Sequence, residues 1–306
     1  MAEHKKILIA VMIITVVIFI ITLAFNGASG VGPPLFKNNT GALSDKYSTG
    51  ITPSGWVFSI WGVIYTWQCL WLLFAFINIF RKTADGPAYV SPMILTPLFF
   101  IVYTFNLCFN TSWIFLFGNE HIVIAFVALF LIAFCLYICM FIAYRNLYQN
   151  GPRLQKQGRN IEIWMHRLLV HNGLGIYATW TTIATLLNVV MTMVYGATPG
   201  VGKEDAGTVA LGLLTAELAI FIVSDLVFLD NYSRYTVTPY MVVCIALGGS
   251  IDKNWDQTKT NSIFSAVLLA IGCTFLVVKI IVMIWRHIKK PLYPTEIAPT
   301  TAGIKA

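Results

Sequence analysis

An all-α integral membrane protein is the fold class this sequence predicts. The mean hydropathy is +0.75, and hydrophobic residues make up 58% of the 306 against 11% charged. Apolar stretches of bilayer length recur along the whole chain, a helical span needing ~20 such residues. Eight candidate spans fall at about 7–25, 56–80, 93–117, 121–144, 165–195, 208–228, 235–251 and 262–285. The segments between them are too short to fold as a soluble domain.

The first apolar run follows Lys5-Lys6 and precedes Asn26-Gly-Ala-Ser-Gly30, the layout of a secretory signal. It is longer than the ~7–15 residues of a signal core, so a retained first helix is expected. The connection 26–55 is the longest and carries Pro33-Pro34. It ends in Thr52-Pro-Ser-Gly55, a start signal for the second helix. Its Asn38-Asn-Thr40 is a glycosylation acceptor if the chain passes through a secretory pathway. The segments 145–162 and 196–207 are expected to be simple connectors. The seventh span is short and marked by Pro239 and Gly248-Gly249, and the Pro- and Thr-rich tail 291–306 is expected to be disordered.

Charge placement sets the expected orientation. With the N-terminus inside, Lys37, Lys46, Lys203, Lys253 and Lys259 fall outside and Lys279 lies in a span. The remaining Lys and Arg fall inside. Both termini are thus expected in the cytosol, in a membrane the sequence does not identify. The +7 net charge is a topology signal, and no basic patch supports nucleic-acid binding. All six cysteines lie in spans, which argues against a disulfide framework. Cys135 and Cys139 lack the further ligands a metal site needs. No nucleophile elbow, paired-His zinc motif or phosphate loop occurs, so neither an enzyme nor a bound cofactor is expected.

Three helical stripes carry candidate chemistry. Trp61, Tyr65 and Gln68 share a face of the second span. Tyr103, Asn106, Asn110 and Trp113 form a polar-aromatic stripe on the third, and Tyr177, Trp180, Ala184 and Leu187 lie at similar spacing on the fifth. Two readings stand side by side. The rings form either an interfacial belt and packing or the wall of a pocket for a flat lipophile. The amides are either interhelical bonds or ligand contacts.

Glu217, Asp225 and Lys279 are deeply placed charges, each costing ~2.5–3.5 kcal/mol alone in the bilayer. Asp225 and Lys279 share a depth, so they pair there unless Lys279 snorkels to the interface. With His171, these groups also define the competing reading of a secondary transporter or channel.

Three ordered segments carry a family resemblance. Trp56-Val-Phe58, Trp61-Gly62 and Tyr65 resemble the second-helix signature of the TspO/MBR (translocator protein, tryptophan-rich sensory protein) family. Asn110-Thr-Ser-Trp113 with Phe117-Gly118 resembles its third-helix motif, and Arg167-Leu-Leu169, Tyr177-Ala-Thr-Trp180 and Ala184-Thr-Leu-Leu-Asn188 resemble its fifth helix. Thr111 replaces the first Trp of the third-helix motif, Ile176 a Pro, and Ile124-Ala125 stand where a fourth-helix Trp is expected. The resemblance implies a TspO-like five-helix bundle over 1–195, followed by three additional transmembrane helices over 196–290. It also implies a small planar lipophile, tetrapyrrole or sterol-like, bound by Trp61, Tyr65, Asn110, Trp113, Tyr177, Trp180, Ala184 and Leu187. Segment 26–55 is then a candidate lid, membrane lipids are the other partners, and a homo-oligomer is left open.

Overall fold

The computed structural model describes residues 3–196 and 198–293. Its long helices are α1 (Lys6–Val31), α3 (Gly55–Phe80), α4 (Pro97–Gly118), α5 (Ile122–Lys156), α6 (Asn160–Tyr195), α7 (Lys203–Phe228), α8 (Thr238–Asn254) and α9 (Thr260–Lys289). The short helix α2 (Thr40–Lys46) lies in the first long connection. Seven of the described helices are long and apolar enough to cross a membrane, and their outward faces carry Ile14, Phe76, Phe134, Ile220 and Ile281. In water such faces would be costly to expose, whereas in hydrocarbon they match their solvent. The protein is a multi-pass integral membrane protein.

Eight spans were expected, and α8 is the one that falls short, at 17 residues. It nevertheless runs between the two ends of the bundle. Near its start Thr236 accepts a hydrogen bond from Tyr144 of α5 (2.9 Å). Near its end Ser250 and Asn254 donate to the Ile51 and Thr52 carbonyls (3.0 and 2.8 Å). At 1.5 Å per residue, 17 residues reach ~25 Å, short of the ~30 Å hydrocarbon core.

Helix α4 packs between α1 and α5, α5 packs on α6, and α6 meets α8 and α7. Polar pairs lock α1 to α4 at matching intervals: Thr15 meets Thr104 (2.8 Å) and Thr22 meets Thr111 (3.1 Å). The family-motif departure at Thr111 is thus a helix–helix hydrogen bond, the kind of contact that substitutes for the missing hydrophobic drive between helices in lipid. Helix α4 starts where Thr96 Oγ1 accepts the Phe99 N–H, with Pro97 in its first turn.

Three expectations about connections need correction. Segment 145–162 is not a loop, because α5 continues to Lys156 through Pro152. Leaving the apolar layer does not end that helix. Leu147 and Leu154 pack with Ile94 and Ile163 in a separate small core. The first helix, expected over 7–25, runs on to Val31, and α2 follows within connection 26–55, capped by Asn39 Oδ1 on the Ala42 N–H (2.8 Å). In the tail, Tyr293 packs on α5 and donates to the Leu147 carbonyl (3.1 Å). The rest of the expected disordered tail, 294–306, lies outside the described residues.

Candidate functional site

The aromatic stripes of α3, α4 and α6 converge. Trp61 sits at the hub: its ring stacks on Tyr65 (centroids 5.5 Å, planes 17° apart) and on Trp113 (5.9 Å, 27°). It meets Tyr177 (6.0 Å) and Trp180 (6.2 Å) edge-on. Phe58, from the turn that opens α3, packs edge-on against Trp180 (6.2 Å). Tyr177 and Trp180 are fully buried, Tyr65 and Trp113 nearly so, and Trp61 is half-buried. Helical spacing brings each ring to the same depth, and the edge-to-face geometry is the one ring quadrupoles favour.

Beneath the rings lies an amide–phenol network. Asn110 Nδ2 donates to Tyr177 Oη (2.8 Å), and Asn110 Oδ1 accepts from Tyr65 Oη (3.2 Å) and from Asn26 Nδ2 (2.9 Å). Tyr65 Oη also donates to Asn26 Oδ1 (2.7 Å). Asn26 was not among the sequence candidates. It looked like the first residue of a loop, and only the extension of α1 brings it under the rings. Gln68 is not part of the wall. It donates to the Gly173 carbonyl (2.7 Å) and accepts from Trp71 (2.6 Å) and Tyr103 (3.2 Å), tying α3 to α4 and α6.

Two members of the cluster lack partners. Among the described residues Trp113 Nε1 and Trp180 Nε1 are buried donors without an acceptor, and further along α6 Asn188 Oδ1 and Thr192 Oγ1 are likewise unpaired. Asn106 Oδ1, His166 Nδ1 and His171 Nε2 are also unpaired elsewhere in the bundle. Leaving a buried donor unmet costs ~1–3 kcal/mol, so the two indole N–H groups are places where a ligand's acceptor atoms would be welcome. Of the remaining candidates, Ala184 is buried on α6. Leu187 borders a different, small cavity of about 40 Å³ with Ile51, Pro53 and Ala246.

The connection over the cluster is fastened to the later helices. Ser54 Oγ and Trp56 Nε1 both donate to Asp252 Oδ2 (2.8 and 2.9 Å), and the Ser54 N–H donates to the Gly249 carbonyl (2.9 Å). A Cβ on Gly249 would lie 2.0 Å from Val57, so only glycine lets this turn sit so close to α8. On the other side, Lys46 and Tyr47 donate to Glu120, which holds a left-handed φ of 67° in the tight α4–α5 turn. Those two bonds, Lys46 first, hold the Glu120 carboxyl below its ordinary range. Trp56 and then Ser54 do the same for Asp252. Asn38 is exposed on this connection.

The deep charges separate into two environments. Lys279 of α9 does not snorkel. Its Nζ lies 2.8 Å from Asp225 Oδ2, and Asp225 also accepts from Ser233 Oγ (2.5 Å) and Tyr240 Oη (2.8 Å). Glu217 is elsewhere on α7, facing a groove between α5 and α7, and no cation reaches it among the described residues. His171 is buried in a π-helical segment of α6 (His166–His171), its ring centroid 4.4 Å from that of Tyr144 in an edge-to-face pair, and its Nε2 is unpaired among the described residues.

A family model described as TSPO-like protein matches residues 12–284. The match runs through α1 to α9, beyond the segments that carried the sequence resemblance. No curated protein and no solved structure matches the chain significantly.

Proposed function

This chain belongs to the TSPO-like family, and we propose that it binds a small planar lipophile, tetrapyrrole or sterol-like, at the Trp61 cluster. The observation that carries this reading is the pair of buried indole N–H groups of Trp113 and Trp180, unpaired among the described residues, on rings that both contact Trp61. Pure packing has no need of unmet donors, whereas a flat ligand with acceptor atoms would stack on the rings and satisfy them. The rings are in mutual contact, so entry requires Trp61, the half-buried member, to swing aside.

In this reading the part of segment 26–55 beyond α1 is the lid, and within the later module, α7 to α9, the outer end of α8 fastens it. The end of the bundle carrying Lys5, Arg167, Arg286 and Lys290 faces the cytosol, and exposed Asn38 lies on the opposite side. A second reading, ion or proton passage using Glu217, Asp225 and Lys279, draws support from adjoining cavities. Glu217 lines one and Asp225 the next, with Tyr137, Met140, Phe221 and Pro239 shared between them. Neutralisation of Asp225 by Lys279 weighs against it.

The test is a titration of purified, detergent-solubilised protein with protoporphyrin IX, read by tryptophan fluorescence. Saturable quenching is expected. Its absence would overturn the tetrapyrrole form of the proposal and leave sterols to be titrated the same way.

A further inference from the structure

A second site of ligand size lies away from the rings. Between α5 and α7, backed by α6 and α8, a groove of about 460 Å³ opens sideways toward the membrane, within the range of small-molecule sites. Its walls are aromatic. Phe130 and Phe134 lie stacked along α5 (12° between planes), with Tyr137 beyond them and Phe221 on α7. The Tyr137 and Thr182 hydroxyls bond each other (2.9 Å), and Thr182 also donates to the Ala178 carbonyl (2.9 Å). Those polar groups are therefore already engaged.

Glu217 is not. Its carboxyl lines the groove midway along its length, with apolar lining toward both ends, and no donor or cation among the described residues reaches it. A carboxylate in hydrocarbon is costly without a counter-charge, and aromatic faces around it attract cations further. Charge complementarity and shape together select the occupant: one positive nitrogen with apolar groups on both sides. We propose that this groove binds a protonated lipophilic secondary or tertiary amine, entering from the bilayer, with its ammonium on Glu217. The site is distinct from the Trp61 cluster and does not depend on the reading given to it.

The test is calorimetric titration of the full-length protein in micelles with N-methyldihexylamine and with dihexylcarbinol. The carbinol carries the same two hexyl arms on a neutral C–OH. The amine should bind saturably and more tightly than the carbinol. Glu217→Gln should weaken the amine by about tenfold or more and leave the carbinol unchanged. Phe134→Ala alters an exposed wall residue, so folding should be undisturbed, and the amine should bind several-fold more weakly. The Trp61→Phe/Trp180→Phe double variant should bind the amine as the native protein does. Equal affinity for amine and carbinol, or an amine affinity untouched by Glu217→Gln and Phe134→Ala, would overturn the proposal and leave an unselective groove for acyl chains. Loss of amine binding in the double tryptophan variant would overturn the separateness of the two sites.

Discussion

Lys279 on α9 and Asp225 on α7 form an ion pair 2.8 Å long, with 3% of each side chain exposed. Among the described residues neither charge has another opposite charge at that distance, and the pair joins two of the three helices that follow the first five spans. Removing one partner strands the other in an apolar layer, which typically costs ~3–5 kcal/mol. Lys279→Met should therefore lower the thermal midpoint in detergent strongly. Adding Asp225→Asn should recover much of the loss, because the amide oxygen still accepts from Ser233 and Tyr240. A double variant as unstable as Lys279→Met alone would refute the pairing argument.

Asn110 bonds three side chains at once, on α1, α3 and α6. Asn110→Leu would leave the Tyr177 hydroxyl and the Asn26 amide short of partners in the bundle interior, a loss of about 2–4 kcal/mol. Denaturant titration of the solubilised protein measures it. A cost under ~0.5 kcal/mol would mean that Asn110 merely fills space.

The lid is expected to loosen in acid. The folded-state values of Glu120 and Asp252 are lowered by their hydrogen bonds. Their contribution is therefore complete above the ordinary carboxylate values of ~4 and fades as pH falls through the lower folded values. Hydrogen exchange across residues 44–58 should accelerate below about pH 4, while the helix interiors stay protected. Glu120→Gly keeps the left-handed turn, which glycine adopts freely, but removes the acceptor for Lys46 and Tyr47. It should show fast exchange already at neutral pH. Exchange in that variant no faster than in the native protein would place the fastening of the lid elsewhere.

Much of this arrangement was legible in the sequence, for identifiable reasons. Apolar runs of bilayer length located the helices, and helical spacing put Trp61, Tyr65, Trp113, Tyr177 and Trp180 on inward faces. Equal depth suggested the Asp225–Lys279 pair. Hydropathy failed where helices leave the apolar layer: the polar end of α5 past Arg145, the added turns of α1 that deliver Asn26, and α2. Periodicity says which face a ring occupies but not what opposes it. The packing of four rings around Trp61, two stacked and two edge-on, the diversion of Gln68 to Gly173 and the turn of Leu187 toward Ile51 are tertiary outcomes that spacing does not encode.

The central claim, a ligand site at the Trp61 hub, is tested most directly by the protoporphyrin IX affinity of a Trp61→Phe/Trp180→Phe double variant. Each aromatic contact is worth ~0.5–1.5 kcal/mol beyond its buried area, so the affinity should fall by about tenfold or more with the helical fold intact. An unchanged affinity would contradict the account and place the ligand away from these rings.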